Sequence, residues 1–248
     1  MLGLAVFHGV AATPAGGAEV RTAVAANFAP TLQKMAPDFL AATGHVVRAT
    51  AGSSGKLLAQ ISQGAPFDVL LAADTASVDR LVAAGLALPG TRAVYATGRL
   101  ALYSARPGFV TAGGAVLRTD SFRHLAVASP KLAPYGKAAA AVLAHLGLQD
   151  RVRARLVVGE NVAQAFQFVA SGNAELGLVA WSQVVATGGR GSMWLVPAEW
   201  HAPLRQEAVV LVASDRRDAA RALVAWLGTP AAAARLQAAG YERAEVGR

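Results

Sequence analysis

Short apolar segments alternate with longer amphipathic segments along most of the chain. Val20–Ala26 is an apolar-rich run typical of a buried strand, and the next segment places Leu32, Met35 and Phe39 on one helical face. Pro30 and Gly44 stand where the first turn and the end of that helix are expected. Strands and helices that alternate in this way predict an α/β protein with mainly parallel sheets.

The same alternation continues toward the C-terminus with one interruption. Further strands are predicted at 45–50, 67–72, 125–129, 156–159, 176–180 and 208–213, and further helices at 56–63, 75–84, 136–146, 163–170, 215–227 and 230–239. The Gly-rich stretch 105–121 is interpreted as an excursion between two lobes. Two runs of strand–helix units on either side of a crossing segment, 95–104, predict two lobes with a cleft between them.

Composition and charge narrow the class of protein. The chain has 248 residues, 54% hydrophobic and 15% charged, which is enough for two domains and excludes a disordered chain. Lys and Arg outnumber Asp and Glu by 23 to 15, so an anionic partner is expected. The absence of Cys excludes thiol catalysis, iron–sulfur clusters and disulfides.

The N-terminal residues 1–18 resemble an export signal. They carry no charged side chain, and the apolar run Leu2–Ala12 precedes small residues that include Gly16 and Ala18. This pattern predicts a leader whose product starts at Glu19, although no Lys or Arg precedes the apolar run. No other segment reaches the 18–20 consecutive apolar residues of a membrane span.

Enzymatic motifs fail on spacing. The sequence Gly52-Ser53-Ser54-Gly55-Lys56-Leu57 lacks the first Gly and the final Ser or Thr of a phosphate-binding P-loop. Neither serine has glycines two places away on both sides, as a nucleophile elbow requires. The five histidines show no metal-binding spacing. A serine hydrolase that uses Ser54 therefore stays only as a distant alternative.

Four predicted strand–helix turns are small and rich in neutral hydrogen-bond donors. They are Ala26-Asn27-Phe28, Gly52-Ser53-Ser54-Gly55, Ala133-Pro134-Tyr135-Gly136 and Glu160-Asn161-Val162. Ligands of open α/β sheets bind beyond the carboxyl ends of the strands, where helix N-termini present free N–H groups and a positive dipole end. Two turns come from each predicted lobe, so together they predict an anion site that both lobes surround.

These motifs resemble the molybdate-binding proteins of bacterial ABC importers, which belong to the type II periplasmic-binding proteins. The match lies in residues 23–28, 52–57, 64–69, 73–74, 133–136, 159–164 and 172–177, in this order along the chain. The resemblance implies a two-lobed fold. Residues 19–98 and 205–248 are expected to form the first lobe, and residues 99–204 the second.

The resemblance also implies the ligand set. The Asn27 amide, the Ser54 hydroxyl, and the backbone N–H groups of Tyr135 and Val162 are expected to bind a tetrahedral oxyanion. Their neighbours are expected to support the site: Ala26, Phe28, Ser53, Gly55, Gly136 and Asn161. A tyrosine donor of the family falls at Ala180, so that donor is absent here, and Asn27 or the Tyr135 hydroxyl is expected to substitute for it.

The function implied is that of an exported, monomeric, periplasmic protein that captures molybdate or tungstate and delivers it to a membrane permease. It is expected to be no enzyme, to need no cofactor and to make no direct bond to the metal atom. The nearer alternative is the same fold with another anion, such as sulfate, phosphate or an organic acid. Nucleic-acid binding is disfavoured, because the run Arg151, Arg153 and Arg155 alternates without aromatic residues and is interpreted as a solvated face.

Overall fold

The computed structural model describes residues 17–243, which form two lobes, each built on a five-stranded sheet. The strands are β1 (Glu19–Ala25), β2 (Val46–Gly52), β3 (Val69–Ala72), β4 (Ala93–Gly98), β5 (Leu100–Ser104), β6 (Leu125–Ala128), β7 (Leu156–Gly159), β8 (Leu176–Ala180), β9 (Ser192–Leu195) and β10 (Leu204–Val210). The first lobe has the order β2-β1-β3-β10-β4, and the second has β7-β6-β8-β5-β9.

Both sheets are mixed. In the first lobe β10 runs antiparallel to β3 and β4, and in the second lobe β5 runs antiparallel to β8 and β9. The remaining neighbours pair in parallel. The α/β class predicted from the alternation is confirmed, and the antiparallel strand of each sheet is the one by which the chain enters that lobe from the other.

Helices cover the faces of both sheets. They are α1 (Ala29–Thr43), α2 (Ser54–Ser62), α3 (Thr75–Ala83), α4 (Pro134–His145), α5 (Gln149–Val152), α6 (Val162–Ala170), α7 (Trp181–Val185), α8 (Arg217–Leu227) and α9 (Pro230–Ala238). Gly44 ends α1 with φ of 74°, a left-handed conformation that favours glycine. No helix within residues 17–243 is long and apolar enough to cross a membrane.

The chain crosses between the lobes twice. It leaves the first sheet after Gly98 and enters the second at Leu100, and it returns between Leu195 and Leu204. Arg99 joins the two crossings, because its Nη2 donates to the Val196 carbonyl at 3.0 Å and its Nη1 pairs with Glu242. The two crossings are thus held side by side.

The sequence suggested that the Gly-rich stretch 105–121 is an excursion between the lobes. In the structure it belongs to the second lobe. It contains a short 3₁₀ helix, Ala112–Arg118, whose Val116 and Leu117 are buried in the core of the second lobe. A Cβ at Gly114 would lie 2.8 Å from the Trp194 ring. Gly114 therefore allows close packing on strand β9, which the sequence pattern did not predict.

The predicted leader falls almost entirely outside the described residues, since the description begins at Gly17. Ala18 is already tied to the first lobe, because its carbonyl accepts from the Val46 N–H at 3.0 Å. The export signal therefore stays a prediction from the sequence.

Candidate functional site

The four predicted turns border one narrow cleft between the lobes. In the first lobe β1 and β2 end in register, with Ala25 opposite Gly52, and in the second lobe β6 and β7 end with Ala128 opposite Gly159. The cleft is bordered by Ala25, Ala26, Asn27, Gly52, Ser53, Ser54, Ala73, Ala133, Pro134, Tyr135, Asn161 and Val162. Its cavity measures about 10 Å³, near the minimum that holds one water-sized group.

Ser54, the first residue of α2, offers its hydroxyl proton to the cleft. Its Oγ accepts a 3.0 Å hydrogen bond from the Ala73 N–H, so the hydroxyl keeps its own proton for donation. Ser53 lies beside it with a buried Oγ that has no partner among the described residues. A buried hydroxyl without a partner is unusual in a folded protein and indicates a place where a ligand completes the hydrogen bonding.

Val162 presents a free backbone N–H at the start of α6. The Asn161 Oδ1 accepts from the N–H groups of Ala163 and Gln164, at 3.0 and 3.1 Å, and so caps the helix. The N–H of Val162 has no acceptor within residues 17–243. Asn161 therefore supports the site by fixing the helix end, while Val162 carries the donor.

Tyr135 presents its backbone N–H at the start of α4. Pro134 occupies the first helical position, and the N–H of Tyr135 has no acceptor in the described chain. The side chain is buried, and its hydroxyl lies against Gly98 at the first crossing. Burial raises the pKa of Tyr135 well above its ordinary value, so the hydroxyl is neutral.

The sequence suggested that the Asn27 amide would donate to a bound anion, but in the structure the amide is engaged within the protein. Its Nδ2 donates to Gln206 Oε1 at 2.9 Å and to the Tyr241 hydroxyl at 3.1 Å, which uses both amide protons. The Tyr241 hydroxyl in turn donates to the Asn27 carbonyl at 3.0 Å. Asn27 therefore anchors the first turn and leaves its backbone N–H, which has no acceptor among the described residues, for the cleft.

Gln206 and Tyr241 were missed by the sequence reasoning. They come from β10 and from the segment after α9, both far along the chain from Asn27, so no local pattern marks them. Burial raises the pKa of Tyr241 to about 12, against the opposing effect of its hydrogen bonds with Ser182, Asn27 and Thr31. The hydroxyl therefore stays protonated and can both donate to and accept from Asn27.

Four of the expected supporting residues use their N–H groups within the protein. Ala26 donates to Gly52, Phe28 to Ala25, Gly55 to Leu132 and Gly136 to Ala133, at 2.8 to 3.0 Å. Phe28 is fully buried and packs on Tyr95 and Tyr241, with ring centroids 4.9 and 5.7 Å apart. These residues shape the turns rather than offer donors.

The side chain of Ala180 carries no hydrogen-bond donor, as the sequence indicated, and helix α7 begins directly after it. The Ala180 N–H donates to Gln183 Oε1 at 3.1 Å, and Gln183 Nε2 reaches the Val162 carbonyl at 3.4 Å. Ser182 Oγ lies 3.5 Å from the Asn27 carbonyl across the lobe boundary. Because the residues after β8 follow a strand end, they could have been expected to border a ligand site. The side chains of Ser182 and Gln183 instead contact other parts of the protein.

Two contacts hold the lobes together beside the cleft. The Gly55 N–H donates to the Leu132 carbonyl at 3.0 Å, and Lys56 Nζ contacts both oxygens of Glu160 at 2.9 and 3.1 Å. Gly55 and Lys56 belong to the first lobe, and Leu132 and Glu160 to the second. We call these two pairs the closing contacts; they show that the lobes are closed around the cleft.

Two larger grooves along the lobe boundary lack the converging donors of the cleft. One measures about 470 Å³ and is bordered by Ala73, Ala138 and Leu204 among others, and the other measures about 570 Å³ and includes Met35 and Phe166. Their linings mix apolar, neutral polar and charged side chains, and the first includes a carboxylate, Asp74, which would repel an anion. The smaller cleft is therefore the stronger candidate for a polar ligand.

The three arginines of the basic run in the second lobe share two aspartates, which neutralise most of their charge. Arg151 and Arg155 both pair with Asp120, at 2.9 and 2.6 Å, and Arg153 pairs with Asp150 at 2.6 Å. Arg155 also lies over the Phe122 ring at 5.1 Å from its centroid. These pairs give the run the character of an exposed, internally compensated surface.

The cleft is equipped to bind a small anion. It offers hydroxyl and backbone donors at the N-termini of α2, α4 and α6, and the described residues that border it include no carboxylate, Lys, Arg or His. Helix N-termini favour negative charge through free N–H groups and the macrodipole. The fold and the cleft together define a two-lobed binding protein for a compact anion.

Comparison with known proteins agrees with this class. Residues 20–242 match the family model described as bacterial extracellular solute-binding protein. The chain is 47% identical over 240 residues to the molybdate-binding protein ModA of Azotobacter vinelandii, covering 96% of this chain and 95% of that protein. It is 43% identical over 238 residues to ModA of Rhodobacter capsulatus, covering 96% and 93%.

A solved structure supports the same assignment. The periplasmic molybdate-binding protein of Azotobacter vinelandii superposes with a TM-score of 0.88 at 41% identity, covering 91% of this chain and 100% of that chain. The chain belongs to the bacterial extracellular solute-binding proteins and, within them, to the ModA family. The family expected from the sequence motifs is confirmed.

Proposed function

We propose that this protein captures molybdate or tungstate in the cleft and delivers it to the membrane permease of an ABC importer. The observation that carries the proposal is the set of unpartnered donors, from Ser53, Ser54, Tyr135 and Val162, that converge on a cleft without charged side chains. The names of the relatives in Azotobacter vinelandii and Rhodobacter capsulatus support this choice of anion.

Neutral donors are sufficient to bury a dianion. A hydrogen bond to a charged group contributes about 1.5–3 kcal/mol, so several of them can replace much of the water shell of the ion. Three helix N-termini add their dipoles from both lobes. The cost of desolvating the anion is therefore met without a counter-ion, and closure around it is favoured.

The same donors select the kind of anion. Because the cleft offers donors and hardly any free acceptor, a protonated phosphate would bury an O–H group without a partner. Molybdate and tungstate are nearly alike in size and larger than sulfate, so donors at fixed positions would leave overlong bonds to sulfate.

The proposal places the protein in the periplasm as a monomer. Membership of a family of extracellular solute-binding proteins and the name of the periplasmic relative support export. The net charge of the chain is +8, but no Lys or Arg is among the described residues that border the cleft. The positive charge therefore attracts the oxyanion to the protein and does not hold it in the cleft. A permease then recognises the closed form, as hinge closure offers it a distinct surface.

The test is a calorimetric titration of the purified protein with molybdate, tungstate, sulfate and phosphate. We expect molybdate and tungstate to bind at one site and at least about 100-fold more tightly than sulfate, a difference of roughly 2.7 kcal/mol. If sulfate or phosphate binds as tightly as molybdate, the alternative with another oxyanion replaces this proposal. If none binds, the anion-capture function is wrong.

A pair of serine variants connects the binding to the cleft. Ser54→Ala removes the hydroxyl donor, and we expect molybdate affinity to fall about 10- to 100-fold, as for a charge-assisted hydrogen bond. Ser62→Ala, an exposed serine of the same helix, is the matched control and should leave affinity unchanged. Equal effects of the two variants would contradict the assignment of the site.

A further inference from the structure

A second cavity, separate from the cleft, lies between the two crossings. It measures about 180 Å³, and none of the residues that border it also borders the cleft. Its walls come from the end of β4 with Arg99, from the return segment with His201 and Arg205, and from Glu242 and Arg243. We call it the hinge cavity, because both segments that connect the lobes line it.

Two of the residues that border the hinge cavity each carry a buried nitrogen atom that has no hydrogen-bond partner among the described residues. These atoms are Arg99 Nε and His201 Nε2. The other guanidinium nitrogens of Arg99 are engaged by Glu242 and by the Val196 carbonyl. Unpartnered buried polar atoms are rare in folded proteins, so this pair marks a place where a polar ligand is accommodated.

The two atoms have opposite hydrogen-bonding roles. Arg99 Nε always carries a proton and donates. His201 is 8% exposed, and its Nδ1 lies 2.9 Å from the Ala202 carbonyl. Because a carbonyl oxygen only accepts, Nδ1 carries a proton, and in the tautomer that has its single proton there Nε2 is an acceptor. In that tautomer the residues that border the hinge cavity carry an unpartnered donor and an unpartnered acceptor.

The mouth of the hinge cavity is positively charged. Arg205 and Arg243 border it, are exposed, and form no ion pair within residues 17–243. Among the described residues that border the cavity, the carboxylate is that of Glu242, which is already paired with Arg99. An anion that enters is therefore met by two arginines in addition to the Arg99 Nε donor.

We propose that the hinge cavity binds a protonated tetrahedral oxyanion of the hydrogen-phosphate type. Its anionic oxygens accept from Arg99 Nε, Arg205 and Arg243, and its O–H group donates to His201 Nε2. This preference is opposite to that of the cleft, where an O–H group finds no acceptor. The site is independent of the oxyanion proposed for the cleft.

The experiment is a titration with inorganic phosphate, and in parallel with sulfate, at neutral pH by calorimetry and ³¹P NMR. The full chain is used with and without saturating molybdate, so that phosphate in the cleft is separated from phosphate at the hinge. We expect one phosphate site that persists with molybdate present. We also expect affinity at least about fivefold above that for sulfate, since sulfate lacks a proton for His201 Nε2.

Three variants locate the site. His201→Phe keeps a ring but removes the acceptor, and Arg205→Gln removes an exposed charge; each should lower phosphate affinity at least about fivefold. Arg80→Gln, an exposed arginine on α3, is the matched control and should change nothing. Thermal unfolding of each variant shows that it is folded.

These experiments test the hinge cavity separately from the anion proposed for the cleft. Phosphate binding that Arg205→Gln weakens and Arg80→Gln does not supports the site whether or not molybdate binds anywhere. No phosphate binding in the presence of molybdate overturns the proposal. Equal affinity for phosphate and sulfate, unaffected by His201→Phe, overturns it as well, because the cavity would then hold an adventitious ion only.

Discussion

At the scale of single residues, Tyr135 joins the cleft to the first crossing. Its backbone N–H faces the cleft, while its hydroxyl reaches Gly98 of the first lobe. A Cβ at Gly98 would lie 2.2 Å from that hydroxyl and 3.1 Å from Gln206 Nε2. Gly98 does not adopt a positive φ, so space rather than backbone conformation requires glycine here.

The contact gives a prediction for a double variant. In Gly98→Ala the added methyl displaces the Tyr135 ring and with it the N–H at the cleft, so we expect molybdate affinity to fall about tenfold, the effect of one misplaced hydrogen bond. Tyr135→Phe in the same chain removes the clashing oxygen and should restore part of the affinity, as calorimetry would show.

The single variant Tyr135→Phe is the control, because the hydroxyl has no hydrogen-bond partner in the described structure. It should bind molybdate as the unaltered protein does. A large loss in this variant would instead identify the hydroxyl as a ligand, and a lack of recovery in the double variant would contradict the steric account.

The turns identified from the sequence border the cleft, and their role as ligands stays a prediction. Ser54 and Val162 could be proposed from the sequence because a hydroxyl or a free N–H at a helix start is a local property. Asn27 was assigned an amide donor that Gln206 and Tyr241 already use. Which donors remain free depends on contacts between distant parts of the chain, and no local pattern records them.

At the scale of strands and helices, the two lobes repeat one arrangement. Each sheet has a parallel trio, β2-β1-β3 in the first lobe and β7-β6-β8 in the second, and next to it an antiparallel strand that comes from the other lobe. The turns of the site follow the corresponding strands, β1 and β2 against β6 and β7. The anion is therefore approached by equivalent ends of two similar sheets.

A buried carboxylate fastens the third strand of each trio. Asp68 precedes β3 and accepts from the backbone N–H of Arg21 on β1 at 2.7 Å. Glu175 precedes β8 and accepts from the N–H groups of Arg123 and His124 at 3.2 and 2.9 Å. Both lie at the strand ends away from the cleft, so they stabilise the lobes and leave the ligand untouched.

Asp68 predicts a pH dependence of stability. Burial alone would raise its pKa, but hydrogen bonds from the Arg21 side chain and backbone and from Ser214 outweigh burial, and the pKa lies below its ordinary 3.8. A lowered pKa in the folded state means that this stabilisation is complete above pH 3.8 and is lost as the pH falls through the folded value. Urea unfolding at pH 7, 4 and 3 measures it.

The variant Asp68→Asn should lower the free energy of unfolding at pH 7 by about 1–3 kcal/mol, because the buried donors Ser214 and Arg21 N–H lose a charged acceptor, while the partly exposed Arg21 side chain keeps Asp215. It should also flatten the acid part of the pH profile. Asp215→Asn, the exposed partner of Arg21, is the control and should cost less than about 1 kcal/mol. Equal pH profiles for Asp68→Asn and the unaltered protein would contradict the role of Asp68.

The order of most strands and helices was predictable, and apolar runs and helical periods marked these elements to within a few residues. Strands β4, β5 and β9 were not predicted, since 95–104 was interpreted as a crossing segment and 192–195 was assigned to no element. The antiparallel direction of β5 and β10 was missed, because an apolar run carries no information on strand direction. The packing of 105–121 on the second lobe was missed because its glycines resemble a linker, although Gly114 allows close contact with Trp194.

At the scale of the whole molecule, a cavity of about 10 Å³ bordered by both lobes implies that the lobes must part for an ion to enter or leave. The excess positive charge favours encounter with an anion, and it weakens with salt. The closing contacts then influence the fraction of molecules that adopt the closed conformation. The Lys56–Glu160 pair is half exposed and contributes little, about 0–1 kcal/mol.

A substitution at Gly55 should affect closure of the lobes without lowering the stability of the fold. A Cβ at Gly55 would lie 2.8 Å from the Leu132 carbonyl of the other lobe, whereas alanine favours a helix over glycine by about 1 kcal/mol. Gly55→Ala should therefore keep or raise the melting temperature without ligand, yet lower molybdate affinity at least about tenfold by hindering closure. Calorimetry gives the affinity, and small-angle scattering with molybdate should show a larger radius of gyration than for the unaltered protein. Unchanged affinity would mean that closure tolerates the methyl group.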